Sequence, residues 1–175
     1  MECSMEQQMR NIMAVVAIET LEKLAFLFAF SDDGRVNDGP APAVTGRVDF
    51  NGDFSGVLLM RISQGAVTEL AVNMLGLVDD SEISDDERQD AFKEMLNVTC
   101  GNLLPAIAGD QMEFSIGPPQ ILSEDEAGAE LKKKDPLSVA RLMMEDGFCD
   151  LYFYPDGRLP EDMGLQAPAG MVIKG

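Results

Sequence analysis

Apolar positions recur at helical spacing along residues 5–30, with Met9, Met13, Val16, Ala17, Leu24 and Phe28 on one stripe. This predicts a long N-terminal helix, and Ile18 and Phe26 on its other side predict that it is covered from two directions. Ser31-Asp32-Asp33-Gly34 stops it, and Pro40 and Pro42 lie in the loop beyond. The period then changes to two. Val44, Val48 and Phe50 alternate with Thr45, Arg47 and Asp49, Asn51-Gly52 predicts a two-residue turn, and Phe54 to Ile62 returns as a second strand. Its Val57-Leu58-Leu59-Met60 run predicts burial on both faces. Ser63 is placed to cap a short helix whose apolar face is Val67, Leu70, Ala71, Met74 and Leu75, ended by Gly76.

Ser84-Asp85-Asp86-Glu87 fits a capping box and opens a helix that reaches about Gly109, with Pro105 expected to kink or shorten it. Met112, Phe114 and Ile116 alternate as a strand broken by Pro118-Pro119, and residues 123–136 read as an exposed loop. A second hairpin follows in Leu137–Met144 and Phe148–Tyr154, with Asp146-Gly147 at its turn. Residues 156–175 read as an irregular tail. The expected fold class is α+β in a single domain over residues 1–175. A long N-terminal helix and two β-hairpins forming an antiparallel sheet pack against a central helix, with a weak duplication of a helix-plus-hairpin unit.

Charge narrows the function. The chain carries 13 basic and 31 acidic residues, a net charge of −18, which repels phosphate backbones and anionic lipid. Nucleic acid and membrane surfaces are therefore not expected partners, and Lys132-Lys133-Lys134 is too short a run to reverse that. There is no histidine, which removes the usual general base near neutral pH and every imidazole metal site. Cys3, Cys100 and Cys149 are scattered thiols without a CxxC, so no metal site is expected, and their sparse use suits a reducing cytoplasm. No basic segment precedes an apolar one as a secretion signal would require, and the apolar stretch Met13 to Phe30 is interrupted by Glu19, Glu22 and Lys23. The expected location is the cytoplasm.

The chemistry left to this chain rests on carboxylates and amides, and one segment arranges them. On a helix, Phe92, Met95, Leu96, Thr99, Cys100 and Leu103 form an anchoring stripe, while Asp90, Glu94, Asn97 and Gly101 fall almost opposite at i, i+4, i+7 and i+11. Glu94 and Asn97 are i, i+3 neighbours, roughly 5–6 Å apart. A neutral carboxamide offers an acceptor and two donors at fixed angles and can hold a water in line with an electrophile. A carboxylate one turn away can pair with a cation on a partner, and a glycine on the same line admits close approach of another backbone. By spacing alone the same residues also fit a solvated helix face. Two other patterns carry less. Asp49-Phe50-Asn51-Gly52-Asp53 lacks the glycine and glutamate of a calcium loop, and the sequon Asn97-Val98-Thr99 has no secretion signal to make it meaningful.

Asp90-Ala91, Glu94-Met95-Leu96-Asn97 and Gly101-Asn102 resemble the active-site helix of the CheC/CheX/FliY phosphatase family, most closely its single-site CheX type. The family pattern is an acidic residue or serine, three residues, Glu, two residues, Asn, three residues, then Gly-Asn. The resemblance implies a CheX-like fold over most of residues 5–154 and hydrolysis of the aspartyl phosphate of a CheY-like response regulator. It implies catalytic roles for Asn97, orienting the attacking water, and for Glu94, meeting the regulator near its active-site lysine. Asp90, Gly101 and Asn102 would contact the partner. The protein would need no cofactor of its own, since the Mg²⁺ in that reaction is bound by the regulator. Two-site members carry a second motif in their first helix, but here Glu22 in Glu19-Thr20-Leu21-Glu22 stands where an Asn is required, which implies one site per chain. Homodimerisation through a sheet edge is a further expectation from the resemblance. Two other readings compete: a CheX-like domain that binds a regulator or motility component without hydrolysing anything, and an acidic secretion chaperone with hydrophobic patches on a dimer surface.

Overall fold

Ser4 starts helix α1 (Met5–Ala25) by accepting the Gln7 N–H on its hydroxyl at 3.2 Å. The helix ends before its apolar periodicity does. Phe26 turns left-handed at φ 53°, its N–H donates to the Glu22 carbonyl at 3.0 Å, and Leu27 N–H reaches back to Leu21 at 3.2 Å. This Schellman closure drops Leu27 into the core and leaves Phe26 and Phe28, expected on covered faces, 71% and 63% exposed. The chain then forms β1 (Ala29–Ser31). The computed structural model describes residues 4–40, 42–157 and 159, so most of the expected 156–175 tail lies outside the described residues.

The first hairpin is β2 (Ala43–Gly52) and β3 (Ser55–Ser63), with Ala43 opposite Ser63 and Phe50 opposite Gly56. Its turn is therefore Asp53-Phe54 and not Asn51-Gly52. The reason lies on the other side of β2, where β4 (Phe114–Ile116) pairs with Phe50, Asn51 and Gly52 and draws them into the ladder. A side chain at Gly52 would collide with the Glu113 carbonyl, so this glycine serves strand approach and not the turn. β5 (Gln120–Leu122) pairs with the same strand at Thr45 to Arg47.

The second hairpin is β6 (Ser138–Met144) and β7 (Gly147–Asp156). Met144 pairs with Gly147, so Glu145-Asp146 makes the turn, one residue earlier than expected. β7 also pairs with β3 along its length, which joins the two hairpins into one antiparallel sheet of order β1-β6-β7-β3-β2-β4, with β5 on β2. Leu58, Leu59 and Met60 are all fully buried, as their position on the inner strand β3 requires.

One face of the sheet carries α1, α2 (Gln64–Leu75) and α3 (Asp85–Ala108) over the main core. Gly76 caps α2 in the left-handed conformation at φ 68°. The hydroxyl of Ser63, expected as its cap, instead accepts the Phe148 N–H at 3.2 Å, and Leu75 is 49% exposed. Pro105 does not shorten α3, because it sits in the last turn and its own carbonyl accepts the Gly109 N–H at 2.8 Å. The other face is covered by α4 (Glu124–Lys133), a helix within residues 123–136 where an exposed loop is expected. Ser123 and Glu126 form its capping box, and Leu131 packs with Leu122 and Val139 against Leu59, Tyr152 and Tyr154.

Candidate functional site

The α3 helix is built to hold one face still. Its N-terminus is closed reciprocally: Ser84 N–H donates to Glu87 Oε2 at 2.9 Å and Glu87 N–H to Ser84 Oγ at 3.1 Å. Asp85, Asp86 and Glu87 in the first turn complement the helix dipole. Phe92, Met95, Leu96, Thr99, Cys100 and Leu103 are all fully buried, and the Thr99 hydroxyl is satisfied by the Met95 carbonyl at 2.7 Å. Beneath them Gly46 of β2 leaves room for Phe92 and Leu96 to settle onto the sheet.

The opposite line is exposed. Asp90, Glu94 and Asn97 face solvent, and among the described residues neither Glu94 nor Asn97 has a hydrogen bond or ion pair within the chain. A rigid helix thus presents a carboxylate and a carboxamide one turn apart, both unspent. Gly101 is half-buried, and a Cβ there would lie 3.8 Å from Ile116 Cδ1, an ordinary contact, so nothing among the described residues demands a glycine at that position. Asn102 is exposed but turned toward α1, with Nδ2 donating to Thr20 Oγ1 at 3.5 Å, while Thr20 donates to the Val16 carbonyl at 2.7 Å. The structure therefore sets Asp90, Glu94 and Asn97 together on one face and Asn102 on its flank.

In α1, Thr20 and Leu21 are buried, Glu19 pairs with Lys23 at 3.7 Å, and Glu22 is exposed. At the position that would match Asn97, α1 therefore presents the carboxylate of Glu22 and not a carboxamide. Cys100 lies among core residues, and burial pushes its thiol up to about 12, so no thiolate forms near neutral pH. The polar residues around the first hairpin's turn already have partners. Asp49 pairs with Arg47 at 2.7 Å, Asn51 accepts the Ser55 hydroxyl at 2.6 Å, and Asp53 accepts the Glu113 N–H at 3.3 Å.

Sequence reasoning missed a charged cluster on the far face of the sheet. Asp150 is fully buried on β7 and accepts Arg35 Nη2 at 2.5 Å, Arg35 Nη1 at 2.8 Å and Arg141 Nη1 at 3.1 Å. Arg141 also donates to Asp38 at 3.2 Å, and the Tyr152 hydroxyl donates to Asp38 at 2.5 Å. The bidentate bond from Asp150 outweighs burial and raises Arg35 above its ordinary value. Every member has a partner, so the cluster ties the 32–38 segment to the sheet and leaves nothing free for chemistry. Pairs 103 to 115 residues apart leave no local signal in a sequence.

The family model described as chemotaxis phosphatase CheX matches residues 44–142, which take in β2, β3, α2, α3 and most of β6. Among curated proteins, none matches the chain. The fold is similar to CheX from Vibrio vulnificus, at 14% identity and a TM-score of 0.63 over 88% of this chain and all (100%) of that one. It is also similar to the CheX–CheY–BeF3–Mg²⁺ complex from Borrelia burgdorferi, at 12% identity and a TM-score of 0.59, covering 83% of this chain and 96% of that chain. FliY from Thermotoga maritima is 18% identical, with a TM-score of 0.54 over 87% of this chain and 92% of that one. At these identities the structural likeness speaks for the fold alone.

Proposed function

The chain belongs to the CheX family of chemotaxis phosphatases, and from that premise we propose that it hydrolyses the aspartyl phosphate of a CheY-like response regulator through Asn97 and Glu94. One observation carries the reading: a capped helix with a buried inner face holds a carboxylate and a carboxamide in solvent, with no side-chain partner among the described residues.

The reaction needs little covalent chemistry from the protein. Asn97 accepts a hydrogen from a water molecule and donates to the phosphoryl group, aligning the water with the phosphorus. The water oxygen bonds to phosphorus as the bond to the aspartyl oxygen breaks. The aspartate leaves as a carboxylate, and inorganic phosphate carries away the water oxygen. Glu94 pairs with a lysine of the regulator and fixes the register in which Asn97 meets the phosphoryl group. Asp90 and Gly101 extend that contact along the same line, with Asn102 at its flank. The Mg²⁺ belongs to the regulator, as the composition of the Borrelia burgdorferi complex suggests.

We further propose that two copies meet at the β1 edge, where Phe28 and Phe30 are 63% and 66% exposed and Phe30 stands opposite the half-exposed Met143. The secretion-chaperone reading falls away with the family assignment, but a non-catalytic CheX-like binder stays in play. Phosphate release from a phosphorylated CheY-like regulator with Mg²⁺ separates the two. Acceleration by the wild type that is lost in Asn97→Ala supports the phosphatase, and absence of acceleration across several regulators sinks it.

A further inference from the structure

The flank of α3 that faces α1 opens into a cavity of about 440 Å³ between the two helices. Val16, Leu24 and Val98 supply its apolar lining, and Glu19 and Lys23 line it from α1. Asn102 reaches from α3 to Thr20 of α1, and the two complete the lining. The cavity lies on the same helical row as part of the exposed motif. Val98 and Asn102 follow Glu94 at i+4 and i+8, so a single helical row starts at the exposed carboxylate and runs into the cavity.

Charge around the opening specifies the visitor. Glu19, Glu22, Asp90 and Glu94 outnumber Lys23 and Lys93 on these two helices, and Lys23 already pairs with Glu19 at 3.7 Å. An anionic ligand or lipid headgroup is disfavoured there, and a cationic segment bearing an apolar side chain is favoured. We propose that the α1–α3 cavity is the anchoring pocket for the response regulator. An apolar side chain flanked by lysine or arginine enters between the helices while the aspartyl phosphate meets Asn97. This rests on the phosphatase reading for the identity of the partner and adds a specificity determinant outside the motif. An apolar anchor in a desolvated pocket is the kind of contact that dominates an interface.

The test uses the full chain and a CheY-like regulator loaded with beryllofluoride and Mg²⁺. Val98→Phe fills the cavity from the half-buried flank of α3. It is expected to weaken binding roughly tenfold and raise KM for the phosphorylated regulator by a similar factor, with the melting temperature retained. Glu19→Arg, at the edge and independent of core packing, is expected to slow association several-fold and flatten its salt dependence. Unchanged affinity in a folded Val98→Phe overturns the pocket, as does unchanged association in Glu19→Arg if Val98→Phe fails to fold. Wild type that binds the regulator without releasing phosphate, and loses binding in these variants, overturns the phosphatase reading and supports the pocket. Phosphate release with both variants behaving as wild type overturns the pocket alone.

Discussion

Gly46 of β2 and Phe92 of α3 meet so closely that a Cβ on Gly46 would lie 2.7 Å from Phe92 Cε1 and 2.8 Å from Leu96 Cδ2. The height of the motif helix above the sheet is set by that missing methyl group. Phe92 lies two residues before Glu94 and Leu96 one before Asn97, so any lift of this stripe moves the exposed pair with it.

Gly46→Val is therefore expected to destabilise the protein by about 1–3 kcal/mol, the usual cost of overpacking a filled core. Phosphate release should fall further than stability alone explains, because positioning tolerates little displacement. Thermal melting and release assays on the same samples check both. A folded Gly46→Val with wild-type activity would show that the helix height is not critical.

Much of this arrangement was legible beforehand. The stripe from Phe92 to Leu103 and the opposite line of Asp90, Glu94 and Asn97 follow from the 3.6-residue period, and the structure buries the first fully and exposes the second. The departures have particular causes. Phe26 occupies a left-handed closing position that glycine normally fills, so apolar spacing ran on past the true end of α1. Asn51-Gly52 carries the strongest short hairpin signal, but β4 recruits both residues into pairing, and partners 62 and 64 residues away are invisible to local pattern. α4 was readable: Ser123-Glu124-Asp125-Glu126 is the same capping pattern recognised at Ser84, obscured by a highly charged segment with Ala127 as its buried residue. The α1–α3 cavity was not readable, since it depends on how Val98 and Leu24 from two helices come together.

The β1 edge leads to an oligomerisation test. Phe30→Asp places a charge opposite Met143 on the edge strand, where association would have to desolvate it. If copies meet there, light scattering should show the wild type as a dimer and Phe30→Asp as a monomer, with the monomer still folded because Phe30 is outside the core. A wild type that is monomeric at high concentration rules the interface out.

Arg35→Ala removes the bidentate partner of the fully buried Asp150 and leaves that carboxylate with Arg141 alone. Breaking a buried pair from one side costs about 3–5 kcal/mol. Denaturant unfolding should show a loss of that order, and the motif helix on the other face should keep its activity in conditions where the variant is folded. A loss under about 1 kcal/mol would mean Arg141 compensates almost completely.

Asp38 predicts a pH dependence. Burial alone would raise its carboxyl, but the Tyr152 hydroxyl and the Arg141 guanidinium outweigh that and hold it below the ordinary value. A folded value below the unfolded one contributes stability that is present above the unfolded value, about 3.9, and is lost as pH falls through the folded value. Asp38→Asn lacks this contribution at every pH. The melting temperatures of wild type and Asp38→Asn should differ near pH 7, and the gap should narrow as pH falls below the unfolded value of about 3.9. A gap that stays constant across that range would assign the stabilisation to packing.

Glu94 and Asn97 should separate kinetically, because one fixes the encounter and the other acts on the reacting water. Asn97→Ala is expected to lower the rate at saturating regulator by about a hundredfold or more, the scale on which a positioned polar group at the reacting centre acts, with little change in affinity. Glu94→Gln keeps the shape but removes the charge that meets the regulator's lysine, so it should raise KM about tenfold and reduce the maximal rate less. Glu22→Ala should leave both quantities near wild type, since Glu22 stands where a second site would need its asparagine. All three side chains are exposed, so melting temperatures should stay close to wild type and any rate loss reads on function directly. If Glu94→Gln lowered the maximal rate as far as Asn97→Ala while leaving KM untouched, Glu94 would have to act on the water itself. The division of labour between the two residues would then be wrong.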